Sequence, residues 1–281
     1  SRAPTNRPDV CFWKTCRESR SEERTRLLTL DIALAYFNAK VEDEMSTYVQ
    51  LPPEDPDAGV LRAELLQHVY VTRAAADGWQ EEYSTILISL GFAQEESCPN
   101  VFWHEAKDIC CSVHGDDFTS SGACPTLDWM ETEIAKPYEI TVQPRMGLGP
   151  NGAKEGRSLN RVVRWLDGRI GYYADPRQSG RLIAECGLDG AKAVATPGVE
   201  VTSTELAEDS AELPSHLTTA SRGAAARGNY LAADRLDSQF ACKVICRWMS
   251  RPPKHAWKAL KRTCGYLAVA TRLVHVYVHQ T

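Results

Sequence analysis

The sequence has no run approaching the roughly 18 consecutive apolar residues of a membrane-spanning helix, which removes a helical membrane protein from consideration. Residues 1–26 are polar and basic and lack the apolar centre of a secretory signal. An intracellular place, cytoplasm or nucleus, is therefore expected. No Cys-x-x-Cys pair occurs among the ten cysteines, which lie irregularly at 11, 16, 98, 110, 111, 124, 186, 242, 246 and 264. Cys242 and Cys246 stand one helical turn apart with His255 downstream, yet a zinc site asks for about four convergent ligands, so these read as buried thiols. The turn-rich run Met146 to Gly152 lacks the Gly-Lys-Ser/Thr ending of a phosphate loop. An excess of positive charge is missing too: the net charge is −5, unusual for a protein that must hold a polyanion.

What is present is the composition of a globular protein, 43% hydrophobic and 25% charged, long enough for one large or two ordinary domains. The charge is unevenly placed. Residues 221–281 carry eleven Lys and Arg against two Asp and Glu, a balance of +9, which leaves −14 on residues 1–220. Lys254, Lys258, Lys261 and Arg262 recur at helical spacing beside Trp257 and Leu260, giving one basic helix face. Two readings of that face stand: a solvated surface, or a contact to a nucleic-acid backbone.

The most informative stretch is Cys110-Cys111-Ser112-Val113-His114-Gly115-Asp116-Asp117-Phe118, an apolar run stopped by a small residue and two adjacent carboxylates. It reads as strand, tight turn, strand. Successive side chains of a strand point to opposite faces, so at least one of the two aspartates should look outward. At a separation of about 4 Å and an effective dielectric near 20 their repulsion is roughly 4 kcal/mol, which a divalent cation would turn into attraction. A plain solvated turn and a metal-binding turn are both open on these residues alone.

A third carboxylate, Asp31, ends the apolar run Leu27-Leu28-Thr29-Leu30. Asp31-Ile32-Ala33-Leu34-Ala35-Tyr36-Phe37 resembles the first catalytic block of copia-type retrotransposon reverse transcriptases, Asp-Val-x-x-Ala-Phe/Tyr. Val113-His114-Gly115-Asp116-Asp117 resembles that family's Tyr-x-Asp-Asp block in a divergent form. Between them, Val69-Tyr70-Val71-Thr72-Arg73-Ala74-Ala75-Ala76-Asp77-Gly78-Trp79 resembles the linking block Leu-Tyr-Gly-x-Arg/Lys-x-Ala-x-x-x-Trp. Further short matches extend to Trp257-Lys258-Ala259-Leu260-Lys261-Arg262, in the family's order, so the resemblance covers most of the chain from Leu27 onward.

The resemblance implies an α+β fold: a polymerase palm, that is a split βαβ antiparallel sheet with helices on one face, followed by a mostly helical thumb and connection region. It implies an RNA-directed DNA polymerase domain of a Pol polyprotein, acting by nucleotidyl transfer with two Mg²⁺ or Mn²⁺ ions. Asp31 and Asp116 would bridge the metals and Asp117 would support one of them. RNA or DNA template-primer, deoxynucleoside triphosphates and the rest of the polyprotein are the implied partners, with no membrane. Tyr36 is either a steric gate against a 2′-hydroxyl or a core aromatic. Arg73 is either a triphosphate contact near a helix start or a solvated side chain. The family's Gly after the Tyr is Val71 here, and its frequent Gln is Ala74.

Along the chain, residues 1–26 read as a disordered basic arm, 27–145 as the palm-like core, 146–195 as a hairpin and thumb-like region, 196–220 as a linker, and 221–281 as a basic helical connection. The family's fingers should precede the first catalytic Asp, and residues 1–26 neither resemble nor accommodate them. The chain therefore reads as a truncated copy with little or no activity, ending before the carboxylates of a ribonuclease H domain. A non-enzymatic relic and a nucleic-acid-binding module of the same fold are the alternatives.

Overall fold

A computed structural model describes residues 25–41, 46–148, 151–166, 168–188, 190 and 192–278. The arm expected at 1–26 lies outside them except for its last two residues. The chain forms two compact units, one of Ser1–Leu159, Arg164–Ile170 and Tyr277–Thr281, the other of Asn160–Val163 and Gly171–Val276. The division falls in a hairpin at 160–171, later than the boundary expected at 146. Among the described residues no helix is long and apolar enough to cross a membrane.

In the first unit β1 (Thr25–Ile32) is followed by a 3-10 turn, Ala35–Asn38, and by a separate antiparallel ribbon, β2 (Tyr48–Gln50) with β3 (Arg62–Glu64). Then come α1 (Ala75–Ser89), β4 (Ala93–Gln94), β5 (Val101–His104), β6 (Ile109–His114), β7 (Asp117–Ala123), α2 (Cys124–Ile134) and β8 (Ile140–Val142). Six of the strands make one antiparallel sheet in the order β4-β5-β6-β7-β1-β8. Within it, β1-α1-β6-β7-α2-β8 runs as strand, helix, two strands, helix, strand, with β1 between β7 and β8.

The alternation of side chains in the sequence explains this packing. Leu28, Leu30 and Ile32 of β1, Cys111 and Val113 of β6 and Phe118 of β7 share one buried cluster. The same cluster takes in Trp79, Tyr83 and Leu87 of α1, spaced one turn apart, and Leu127, Met130 and Ile134 of α2. Each such fully buried side chain contributes about 1.5–3 kcal/mol, so both helices are held on this face of the sheet. The residues between them on β1, Thr29 and Asp31, point to the other face. Helix α1 stops where Gly91 takes φ +95°, and α2 carries Pro in its first turn.

After β9 (Glu155–Ser158), β10 (Arg161–Leu166) and β11 (Arg169–Tyr173) form the hairpin in which the division falls. The second unit is mainly helical: α3 (Pro176–Glu185), α4 (Ser203–Glu208), α5 (Ser215–Ala232), α6 (Gln239–Cys246) and α7 (Lys254–Val269); β12 (Val274–Val278) follows, and the division passes through it after Val276. Asp175 caps α3, its carboxylate accepting from the Arg177 backbone N–H at 3.0 Å. The stretch 196–220, expected to be a linker, instead holds α4 and the start of α5. Leu213 is buried there and its N–H donates to the Pro252 carbonyl at 3.0 Å, while Asp209 and Glu212 pair with Lys258 and Arg251. Its Ser, Thr and Glu mark a polar surface rather than a free connector.

Candidate functional site

The two Asp-bearing blocks stand on adjacent strands. Asp31, near the end of β1, lies directly opposite Asp117, the first residue of β7. Ile32 N–H donates to the Asp116 carbonyl at 3.0 Å, which makes Ile32 and Asp116 the hydrogen-bonded pair and Asp31 and Asp117 the closer, non-hydrogen-bonded one. In such a pair the Cα atoms are about 4.5 Å apart and the side chains leave the same face. Asp116 sits in the two-residue turn between His114 and Asp117. Gly115 takes φ +64° at the first turn position, the conformation that a two-residue hairpin favours and that a residue with a Cβ resists. Trp79 Nε1 of α1 donates to the Gly115 carbonyl at 2.7 Å, so the helix fixes the turn that carries the carboxylates.

The electrostatics follow from this proximity. Burial, then the charges of Asp116 and Asp31, push the Asp117 carboxyl up to about 6. Asp31 is also raised, first by burial and then by Asp116. The adjoining ends of these two interior strands thus concentrate negative charge, and hard carboxylate oxygens are the ligand type that Mg²⁺ and Mn²⁺ take. The side chains do not form a finished ligand set: among the described residues no three His, Cys, Asp or Glu groups are arranged to hold a metal ion.

No model of a known protein family matches the chain. It is 27% identical over 249 residues, 85% of its length, to the retrovirus-related Pol polyprotein from transposon RE2 of Arabidopsis thaliana. The chain is similar to a retrotransposon Pol polyprotein. It spans about 16% of that relative's length.

Two aromatic residues border the carboxylates of this Pol-like chain. Tyr36, half-buried in the 3-10 turn after Asp31, meets Tyr70 edge-on with ring centroids 4.5 Å apart. Burial and then the charge of Asp116 raise the Tyr70 phenol, and Asp31 adds to this, so Tyr70 belongs to the same site. Sequence reasoning gave Tyr70 no role; the signal was its place as the Tyr of the linking block. Arg73 is exposed two residues before α1 begins, and among the described residues no hydrogen bond or ion pair joins it to the carboxylates. Val71, which stands where the resembled linking block has Gly, takes φ +76° and is fully exposed. A β-branched residue is strained there, which is a physical reason for a glycine at that place.

The basic face divides into two kinds of residue. Lys254, Lys258 and Lys261 are exposed along α7, but Lys258 is paired with Asp209. Arg262 is turned inward, its Nη2 donating to Thr196 Oγ1 at 2.9 Å. Lys254 and Lys261 are the two of the four that retain an unpaired ammonium group among the described residues.

Proposed function

We propose that the chain is the polymerase part of a copia-type Pol polyprotein, an RNA-directed DNA polymerase domain whose first unit is a palm. The observation that supports this most is the placement of Asp31 directly opposite Asp117 on neighbouring central strands, with Asp116 in the adjoining turn. In this reading Asp31, Asp116 and Asp117 would hold the ions, Asp117 as the supporting member of the three. Mg²⁺ or Mn²⁺, when bound, supplies a lowered pKa at a primer 3′-hydroxyl and stabilisation of the leaving pyrophosphate. The chain itself orients the partners: Tyr36, braced by Tyr70, borders the sugar of a deoxynucleoside triphosphate, Arg73 meets its phosphates, and Lys254 and Lys261 contact the template-primer backbone. Phosphoryl transfer depends mainly on positioning, and a displacement of about 1 Å can cost roughly a hundredfold. With the carboxylates short of a finished set and Ala74 offering no polar side chain, weak extension is expected.

A second reading, a palm-like nucleic-acid-binding module without chemistry, is favoured by that unfinished set. Two measurements separate them: the shift in melting temperature on adding Mn²⁺, and extension of a primed RNA template. The polymerase reading expects a Mn²⁺ shift that Asp31→Asn with Asp116→Asn removes, and slow extension that Asp116→Asn abolishes. An equal Mn²⁺ response in the chain and the double variant would refute it. A carboxylate-dependent response with no extension would leave the second reading.

A further inference from the structure

The helical unit holds a pair of thiols that nothing in the polymerase reading uses. Cys186 follows the last residue of α3 and Cys264 lies in α7. Both belong to the same buried cluster as Leu182, Leu260 and Leu267. Cys264 packs on the last turn of α3: its Sγ lies 3.8 Å from the Leu182 carbonyl, the same oxygen that accepts the Cys186 backbone N–H at 3.2 Å. Each thiol also perturbs the other's ionisation, as groups set side by side in one core do. A disulfide needs two cysteines whose side chains share one site, and the packing of the end of α3 on α7 puts Cys186 and Cys264 in one.

We propose that Cys186 and Cys264 are an oxidation site, a dithiol that a low-molecular-weight disulfide such as glutathione disulfide converts to an intrachain bond between the end of α3 and α7. Cys186 is the point of entry, because it is 8% exposed while Cys264 is fully buried. Hydrogen bonding from Cys264 lowers the Cys186 thiol and the Lys261 ammonium adds to this, so its thiolate is favoured. The Cys186 thiolate attacks one sulfur of the oxidant and releases one thiolate, leaving a mixed disulfide. Cys264 then loses its proton and attacks the Cys186 sulfur, expelling the second thiol. Two electrons pass from the protein dithiol to the oxidant, which leaves as two thiols.

Cys242 is the competing partner, since its charge also acts on Cys264. It is 2% exposed and burial and then Cys246 push its thiol up to about 11, and the mapped peptides tell a bond to Cys242 from one to Cys186. The inference is independent of the polymerase reading, and replacing Asp31 and Asp116 should leave it unchanged.

The test incubates the full chain with reduced and oxidised glutathione in varied ratio, alkylates free thiols and maps peptides without reduction. A Cys186–Cys264 peptide is expected as the ratio turns oxidising, reversed by dithiothreitol. The melting temperature should rise by several degrees in the oxidised chain, because the new bond closes a long loop. Cys264→Ser should trap glutathione on Cys186; should that core variant fail to fold, Cys186→Ser, at the helix end, should lose both the cross-linked peptide and the oxidised shift. Persistent glutathione on Cys186 of the unaltered chain, a bond from either cysteine to a different thiol, or no oxidation of either would each overturn the proposal.

Discussion

Replacing Asp117 by Asn should stabilise the protein near neutral pH and do nothing in acid. The Asp117 carboxyl rises from 3.8 to about 6 in the fold, with burial the leading cause and Asp116 and Asp31 adding to it. A shift of two units corresponds to about 3 kcal/mol of preference for the neutral form, and solvent screening at a half-buried edge reduces that to about 1–2 kcal/mol. The sign follows from the raised value: the native state holds the proton more tightly than the unfolded chain. The favourable contribution is therefore complete below about pH 4 and is lost as pH rises through about 6. Asn has nearly the shape of the neutral acid and cannot ionise. Urea melts at pH 4, 5, 6 and 7 in the presence of a chelator should show Asp117→Asn and the unaltered chain equal at pH 4, with the variant ahead by about 1–2 kcal/mol at pH 7. Asp116→Asn should recover part of the same difference by removing the charge that acts more strongly on Asp117. A variant less stable than the unaltered chain at pH 7, or a difference that does not change with pH, would refute the reasoning.

Val71→Gly should raise stability by about 1 kcal/mol, because relief of the positive φ exceeds the extra chain entropy of glycine; a lower melting temperature would contradict this. Gly78→Ala should lower stability by about 1–3 kcal/mol despite the better helix propensity of Ala, since a Cβ there would stand 2.2 Å from Nε2 of buried His68. His68→Ala should rescue it, and a stabilised single variant would show that His68 yields freely. Reversing Lys254 and Lys261 to Glu should reduce the salt dependence of nucleic-acid binding by about two counterions, measured by fluorescence anisotropy, and an unchanged slope would leave them as solvated side chains.

Much of the first unit was legible because its signals are local. Leu28, Leu30 and Ile32 alternate on one strand, and Trp79, Tyr83 and Leu87 recur once per turn, so the faces that meet could be assigned from spacing. Asp31 and Asp117 were legible as strand-end carboxylates. Their register could not be read, because it depends on how β1 pairs with β7, some ninety residues away in the chain. The close approach of Gly78 to His68 was hidden for the same reason. In the stretch 196–220 composition misled: Ser, Thr and Glu resemble a linker, yet the buried Leu213 and the ion pairs of Asp209 and Glu212 tie it down.

The basic end shows what charge counting leaves out. Four cations at helical spacing look equivalent in the sequence, and a balance of +9 over residues 221–281 invites treating them as one surface. The fold separates them by the partners that distant segments bring. Asp209, at the end of α4, neutralises Lys258, and Thr196 takes a donor of Arg262. Both partners lie in the stretch whose composition read as a linker, so misjudging that segment and overcounting the basic face are one error. A cation already paired gains little from meeting a phosphate, because its existing contact must first be broken. Lys254 and Lys261, about two turns apart along α7, are the two of the four whose charge no ion pair offsets among the described residues, and so the two on which the salt-dependence test above turns.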